Sequence, residues 1–454
     1  MSLTQRRLLA YNPGMKFLML FRLAILLLLV LPGWAQTAQD ALKSADDSYR
    51  RGDYDRAIRE YSEAIRLGSS YAAFVGRGNA YDDKGDHDHA ILDYTEAIRL
   101  NPKDALVFYN RGLAYENKSD HDHAIQDYNA AIGLNAEVPE IFNNRGLAYF
   151  SKGDLDRAIQ DYGQAIRLRP DFAKAIHNRA LAYAAKREYG PAIQDFKEVT
   201  RLNPREADAF FNLAQAYDDQ GDYEQAIVNY SEAIRVNSED DQALQKRARS
   251  YLMKPDYEHA IQDFRELLRQ NPNHTDALEG RGIANFYAGH FKEAEQDLEA
   301  AVRRGHEKPS GTFAVQPGKG LEMTFTNRLD PFIVVWLYLA RSRAATDTPE
   351  QRNNDERNRD ELKKNAGGLD LKAWPGPLVD LFLGKIKPED LLRAAAGNPA
   401  KKCESTFYAA KYQAIHGRAG EAVKLFENAK QTCPMGLLEK MTAQAELKRM
   451  QEQK

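Results

Sequence analysis

GDHDHAILDYTEAIRLNPKDALVFYNRGLAYENK (85–118) is followed without a gap by SDHDHAIQDYNAAIGLNAEVPEIFNNRGLAYFSK (119–152), and the pattern these two stretches share recurs along the chain. Its turns align as GDYDRAIREY at Gly52, GDHDHAILDY at Gly85, SDHDHAIQDY at Ser119, GDLDRAIQDY at Gly153, REYGPAIQDF at Arg187, GDYEQAIVNY at Gly221, PDYEHAIQDF at Pro255 and GHFKEAEQDL at Gly289. Every step is 34 residues except the first, which is 33. Ahead of each turn stand a small residue and usually a tyrosine, as in Gly78 and Tyr81 or Ala214 and Tyr217; after it come an alanine, an aromatic and a second alanine, as in Ala90, Tyr94 and Ala97. Several units close on Asn-Pro, at Pro102, Pro204 and Pro272.

Small and apolar residues at i, i+3, i+4 and i+7 define two amphipathic helices per unit, and the Gly-Asp between them supplies a turn whose glycine accepts positive φ. Small residues before and after the turn let the paired backbones approach, aromatics fill the space beside them, and proline stops the second helix. One such hairpin cannot bury its own apolar face, so the units must stack. The expected fold is all-α. These motifs resemble the tetratricopeptide repeat, with eight units over residues 38–308. The resemblance implies an α-solenoid, a right-handed superhelix of helix hairpins.

One column reads Arg77, Arg111, Arg145, Arg179, Arg247 and Arg281, and sixteen residues later each arginine has an acid: Asp93, Asp127, Asp161, Asp195, Asp263 and Asp297. In the sixth unit both members change together, to Leu213 and Asn229. The joint loss predicts a structural Arg–Asp pair within each hairpin, since an arginine left beside no buried partner costs roughly 3–5 kcal/mol. The position before it is Asn110, Asn144, Asn178 and Asn212 in four consecutive units. The resemblance places first helices on the concave groove, where the family's asparagine ladders hold an extended peptide by its main chain. Asparagine offers two donors and an acceptor for that task. The alternative is that each asparagine bonds the neighbouring repeat's backbone. Tyr109, Asn143, His177 and Phe211 are expected on the same face, with Gln245, Lys246 and Arg249 further on. The family's clamp for a C-terminal carboxylate is matched in part by Asn79 and Asn110, but Val75 and Glu140 stand where it needs cations.

The chain has 454 residues, 63 basic against 66 acidic side chains and two cysteines, so it is neither a disulfide scaffold nor a disordered polymer. A net charge of −3 without a basic patch argues against nucleic acid as a partner. Two turns carry His87 and His89, then His121 and His123, but the first of each pair falls where other units have Tyr54 or Phe291, so packing and solvated turns are expected and no metal. Gly311, Gly318, Lys319 and Gly320 lack phosphate-loop spacing. No cofactor and no catalytic set emerge.

Arg6, Arg7, Lys16 and Arg22 precede or interrupt an aliphatic run, Leu23 to Leu31, that is too short to span a membrane. Residues 1–35 are expected to be a secretory signal cut before Gln36, which takes the net charge from −3 to −7; Met15 is a second candidate start. An uncleaved anchor is the alternative. The cysteines, Cys403 and Cys433, lie far from this segment, so no direct lipid anchor is expected.

Beyond the repeats, 309–330 is expected to be a linker or short hairpin, 331–402 a degenerate helical segment, 403–436 a ninth hairpin and 437–454 a capping helix. Cys403 opens the first helix of that hairpin and Cys433 ends the second, so antiparallel packing brings them together for a disulfide; two separate buried thiols are the alternative. The run from the Trp374 turn through LVDLFLGKI and STFYAAKYQAIHGRAGEAVKLFENA resembles the NlpI-type periplasmic lipoproteins. That resemblance implies an envelope adaptor whose partners are cell-wall hydrolases or a protease. The expected function is a non-enzymatic protein- or peptide-binding scaffold in the periplasm, or secreted. The alternatives are a regulator or enzyme with its site in 309–400, and a structural subunit of an envelope assembly or export complex.

Overall fold

The computed structural model describes residues 37–68, 71–307, 310–316, 320–326, 331–344, 351–367, 369, 371–433 and 438–452. The expected signal segment, Gly318 and Lys319 lie outside them. The chain divides into two units, one ending at Glu188 and the other beginning at Tyr189.

The first unit contains α1 (37–50), α2 (Tyr54–Arg66), α3 (Tyr71–Asp83), α4 (His87–Leu100), α5 (Ala105–Asn117), α6 (His121–Leu134), α7 (Pro139–Ser151), α8 (Leu155–Leu168) and α9 (Ala173–Ala185). Most second helices begin on an aspartate: the carboxylates of Asp53, Asp86, Asp120 and Asp154 accept from the backbone N–H groups of Arg56, His89, His123 and Arg157. The residue before that cap needs a left-handed backbone, held by Gly85 at φ 86° and, without glycine's freedom, by Ser119 at 59°. Ala90, Ala124 and Ala158 are completely buried, with Tyr94, Tyr128 and Tyr162 one turn on. A Cβ on Gly112 would lie 2.6 Å from the Tyr128 ring, so the small-residue column exists to admit that ring. α3 touches α5, α5 touches α7 and α7 touches α9 more closely than consecutive second helices approach each other, so the first helices form the inner side of the stack.

The arginine column joins the helices. Arg77 donates to Asp93 through Nε and one terminal nitrogen at 2.7 Å each; Arg111–Asp127 and Arg145–Asp161 repeat this at 2.6–2.8 Å. The other terminal nitrogen crosses to the preceding hairpin, where it donates to Ser62, Thr95 or Asn129. The guanidinium also lies 5.6–5.8 Å from the ring of Phe74, Phe108 or Phe142, one turn earlier in its own helix. The same fork occurs in the second unit at Arg247–Asp263 and Arg281–Asp297. Arg179 lies on α9 of the first unit and the buried Asp195 on the first helix of the second.

The second unit contains α10 (Tyr189–Leu202), α11 (Ala207–Gln220), α12 (Tyr223–Val236), α13 (Asp241–Met253), α14 (Tyr257–Gln270), α15 (Thr275–Ala288) and α16 (Phe291–Glu307), then β1 (Ser310–Gln316) and β2 (Gly320–Thr326). After these come α17 (Pro331–Ala344), α18 (Gln351–Asn365), α19 (Gly376–Phe382), α20 (Pro388–Ala394), α21 (Pro399–Ile415), α22 (Ala419–Thr432) and α23 (Leu438–Glu452). The strands pair antiparallel, from Ser310 with Thr326 to Gln316 with Gly320. Leu213 is buried, and Asn229 turns to the Gln225 carbonyl of its own helix at 2.8 Å. α17 is buried on all sides: Ile333 through Ala340 are all buried, in one apolar core that runs from Leu244 to Leu447. A disulfide joins Cys403 on α21 to Cys433 at the end of α22.

Arg145→Ala is expected to cost about 2–3 kcal/mol, below the roughly 3–5 kcal/mol of a fully buried pair, because Asp161 is left buried without its partner while Arg145 itself is 18% exposed; Arg145→Met with Asp161→Leu is expected to cost less than either single change. Hydrogen exchange of α7 and α8 measures both. Reduction of the Cys403–Cys433 bond is expected to lower protection of α21 and α22 by about 2–4 kcal/mol.

Candidate functional site

The inner face of the first unit is built from α3, α5, α7 and α9. Its asparagines bond side chain to side chain, mostly between repeats. Asn110 Nδ2 donates to Asn79 Oδ1 at 3.1 Å, and that same oxygen accepts from the Tyr94 hydroxyl at 2.8 Å. Asn144 Nδ2 donates to the Tyr109 hydroxyl at 2.9 Å. Asn143 Nδ2 donates to Asn144 Oδ1 at 2.9 Å, and Asn178 Nδ2 donates to Asn143 Oδ1 at 3.0 Å. Each half-buried amide in this chain is thus held in orientation while retaining hydrogen-bonding capacity.

Asn143 departs from expectation. It is 1% exposed, because it lies beneath Asn144 and Asn178 and bonds both, so it orients the ladder and does not meet solvent. Tyr109 is half-buried, its phenol shifted up by burial, and its ring centre is 6.0 Å from that of Tyr128. The Tyr128 hydroxyl is buried without a hydrogen-bond partner among the described residues. Beside these groups Leu106 is 58% exposed and Leu147 38%. His177 is half-buried on α9. Phe211 and Asn212 are half-buried on α11 in the second unit, Phe211 edge-on to Tyr230 at 5.6 Å. The expected row Asn110, Asn144, Asn178 and Asn212 is therefore contributed by both units, three members from the first and one from the second.

The histidines act locally. His87 Nδ1 lies 2.7 Å from Asp82 and His121 Nδ1 3.0 Å from Glu116. His89 and His123 bond the capping aspartates Asp86 and Asp120 at 2.8 Å and stack on Tyr81 and Tyr115, with ring centres 5.0 Å apart. Among the described residues no group of three or more His, Cys, Asp or Glu converges as a metal site.

Sequence reasoning missed a second ladder on the outer edge. Lysines at the ends of first helices reach an acid near the start of the preceding repeat's second helix: Lys84–Asp55 at 2.6 Å, Lys118–Asp88, Lys152–Asp122 and Lys186–Asp156 at 2.8 Å. Lys254–Glu224 at 3.6 Å is a looser member in the second unit. Its signal was present: where the acid is replaced by Gly190, the lysine thirty residues on is replaced by Gln220. These pairs are exposed and each contributes little to stability.

The repeats match family models. The model described as TPR repeat covers 78–119, 117–153 and 146–187; those described as tetratricopeptide repeat cover 173–206, 207–240 and 246–309. Among solved structures the chain is similar to the C-terminal part of a TPR repeat-containing protein from Cytophaga hutchinsonii, at 22% identity and TM-score 0.49 over 53% of this chain and 98% of that one. A tetratricopeptide repeat protein from Parabacteroides merdae matches at 22% identity and TM-score 0.41 over 53% and 95%. MamA from Desulfovibrio magneticus RS-1 matches at 20% identity and TM-score 0.36 over 37% and 96%. No curated protein matches the chain. The matched repeat models, laid end to end on hairpins of the geometry described above, show that the chain belongs to the tetratricopeptide repeat family.

Proposed function

We propose that this protein is an exported, non-enzymatic adaptor that holds an extended segment of a protein partner on its inner first-helix face. The observation that carries the reading is two amide relays, Asn110 to Asn79 and Asn178 through Asn143 to Asn144 and Tyr109, whose half-buried members are oriented by bonds between repeats. A row of fixed amides matches the alternating N–H and C=O groups of an extended main chain, and exposed Leu106 and Leu147 beside it suit apolar side chains of the ligand. Tyr109 lends a rigid aromatic surface at low cost in side-chain entropy.

Export rests on the short apolar run at Leu23 to Leu31 and is supported by the paired Cys403 and Cys433, a bond typical of oxidising compartments. The C-terminal likeness to NlpI-type proteins points to an envelope partner, a cell-wall hydrolase or a protease. The alternative of a structural envelope subunit draws support from one feature, the packing of α23 against α13 at the C-terminal end of the second unit's inner side.

In pull-downs from envelope extracts, the variant with Asn110, Asn144, Asn178 and Asn212 all changed to Ala is expected to lose partners that the native protein keeps, with an unchanged helical circular dichroism spectrum. Identical partners on both proteins would sink the ladder reading. Export is checked by N-terminal sequencing of protein from the periplasmic fraction, where Gln36 is expected as the first residue.

A further inference from the structure

The C-terminal end of the second unit's inner side is covered by the chain's own last helix. α23 turns Thr442, Ala443, Glu446 and Leu447 inward, each at most 5% exposed, while Gln444, Lys448 and Gln451 face solvent. It packs on α22 and α21 and reaches back to α13. At the centre of the contact the Lys411 ammonium donates to Glu446 Oε1, with both side chains 2% exposed. Four rings wall the ammonium: Phe286 at 4.6 Å, Tyr287 at 5.0 Å, Phe407 at 5.5 Å and Trp336 at 5.6 Å. Arg343 on α17 adds a second cation that couples to Glu446, and the buried Tyr257 hydroxyl has no hydrogen-bond partner among the described residues.

Glu446 and Arg449 arrive with α23, whereas Lys411, Arg343 and the aromatic walls belong to the host. Without α23 the host side is a cationic, aromatic-walled receptor for a carboxylate. A helix needed only to cover the end of a stack is served as well or better by apolar residues of equal volume, since the desolvation cost of a buried ion pair often exceeds its Coulombic gain. Among the described residues the fully buried apolar side chains of α23 are Ala443 and Leu447, and the ion pair lies between them and the host.

We propose that this face is a second binding site, specific for an amphipathic helix that presents a carboxylate with a small residue three positions before it and a leucine directly after it. α23 is its resident occupant, and a partner helix of the same pattern displaces it. The site differs from the first-unit face in its ligand, a helix in place of an extended chain, and stands whether or not that face binds peptide.

In the full-length protein Glu446→Lys sets a like charge against Lys411 and is expected to release α23, seen as hydrogen-exchange protection lost at 438–452 and kept in α15, α17 and α21. A fluorescein-labelled peptide of residues 436–454 is then expected to bind this variant about tenfold or more tightly than the native protein, whose site is occupied. The same peptide carrying Glu446→Gln is expected to bind about tenfold or more weakly than the native peptide, since it leaves Lys411 buried without its charge partner. Equal binding to variant and native protein, or no loss with the Gln peptide, overturns the proposal. So does protection lost throughout α15–α22 in both Glu446→Lys and the milder Leu447→Ala, because α23 would then be inseparable from the core. A native dimer dissolved by the peptide would seat the α23 of a second copy on the site and overturn the assignment to a separate partner.

Discussion

The bidentate bond between each repeat's arginine and the aspartate sixteen residues later sets how the hairpins lie, and much else follows from it. Guanidinium and carboxylate match as two parallel N–H···O bonds, a geometry that lysine cannot reproduce. Because the arginine is on the first helix and the acid on the second, the pair holds their rotation as well as their separation. The remaining terminal nitrogen reaches Ser62, Thr95, Asn129 or Ser231 on the preceding hairpin, so one side chain joins three helices. In the sixth repeat Leu213 replaces this polar joint with apolar packing. Loss of both partners together is the tolerable route, since neither is left buried and unsatisfied.

With rotation held, the residue just before the arginine must point along the inner side, and there the two units diverge. In the first unit that side carries amides and a phenol bonded to one another across repeats, partly open to water. In the second its C-terminal part is covered by α17, α21 and α23 around a caged ammonium and its carboxylate. The same scaffold therefore presents a neutral polar surface in one unit and a filled, charged and aromatic one in the other. The first suits a ligand whose recognised groups are main-chain amides; the second suits a charged helix.

Much of the fold was legible because its determinants repeat. Column comparison within one chain exposed the Arg–Asp pairing and the small-residue column that admits Tyr94, Tyr128 and Tyr162. The lysine ladder is legible the same way, from Gly190 and Gln220 changing together, but its partners lie in adjacent repeats, so the pairing shows only at a spacing of thirty residues that no single hairpin contains. The burial of Asn143 had no such signal. Its sequence neighbourhood matches that of the exposed asparagines, and only its place beneath Asn144 and Asn178 removes it from solvent. Nor did the apolar run of α17 announce that it is covered on every side, since a short apolar segment has no period from which its faces can be told.

The period of 34, the helix pair in each unit, the turn residues and the Arg–Asp partnership follow from the residues alone, because each depends on contacts within one hairpin that recurs often enough for its rules to show. The hydrogen-bond route through the asparagines, the closing of the second unit by α23 and the meeting of Lys411 with four rings and Glu446 depend on residues brought together from separate helices. Such contacts occur once, so no internal comparison reveals them. They arise when the hairpins stack, from the small rotation each repeat adds to the last.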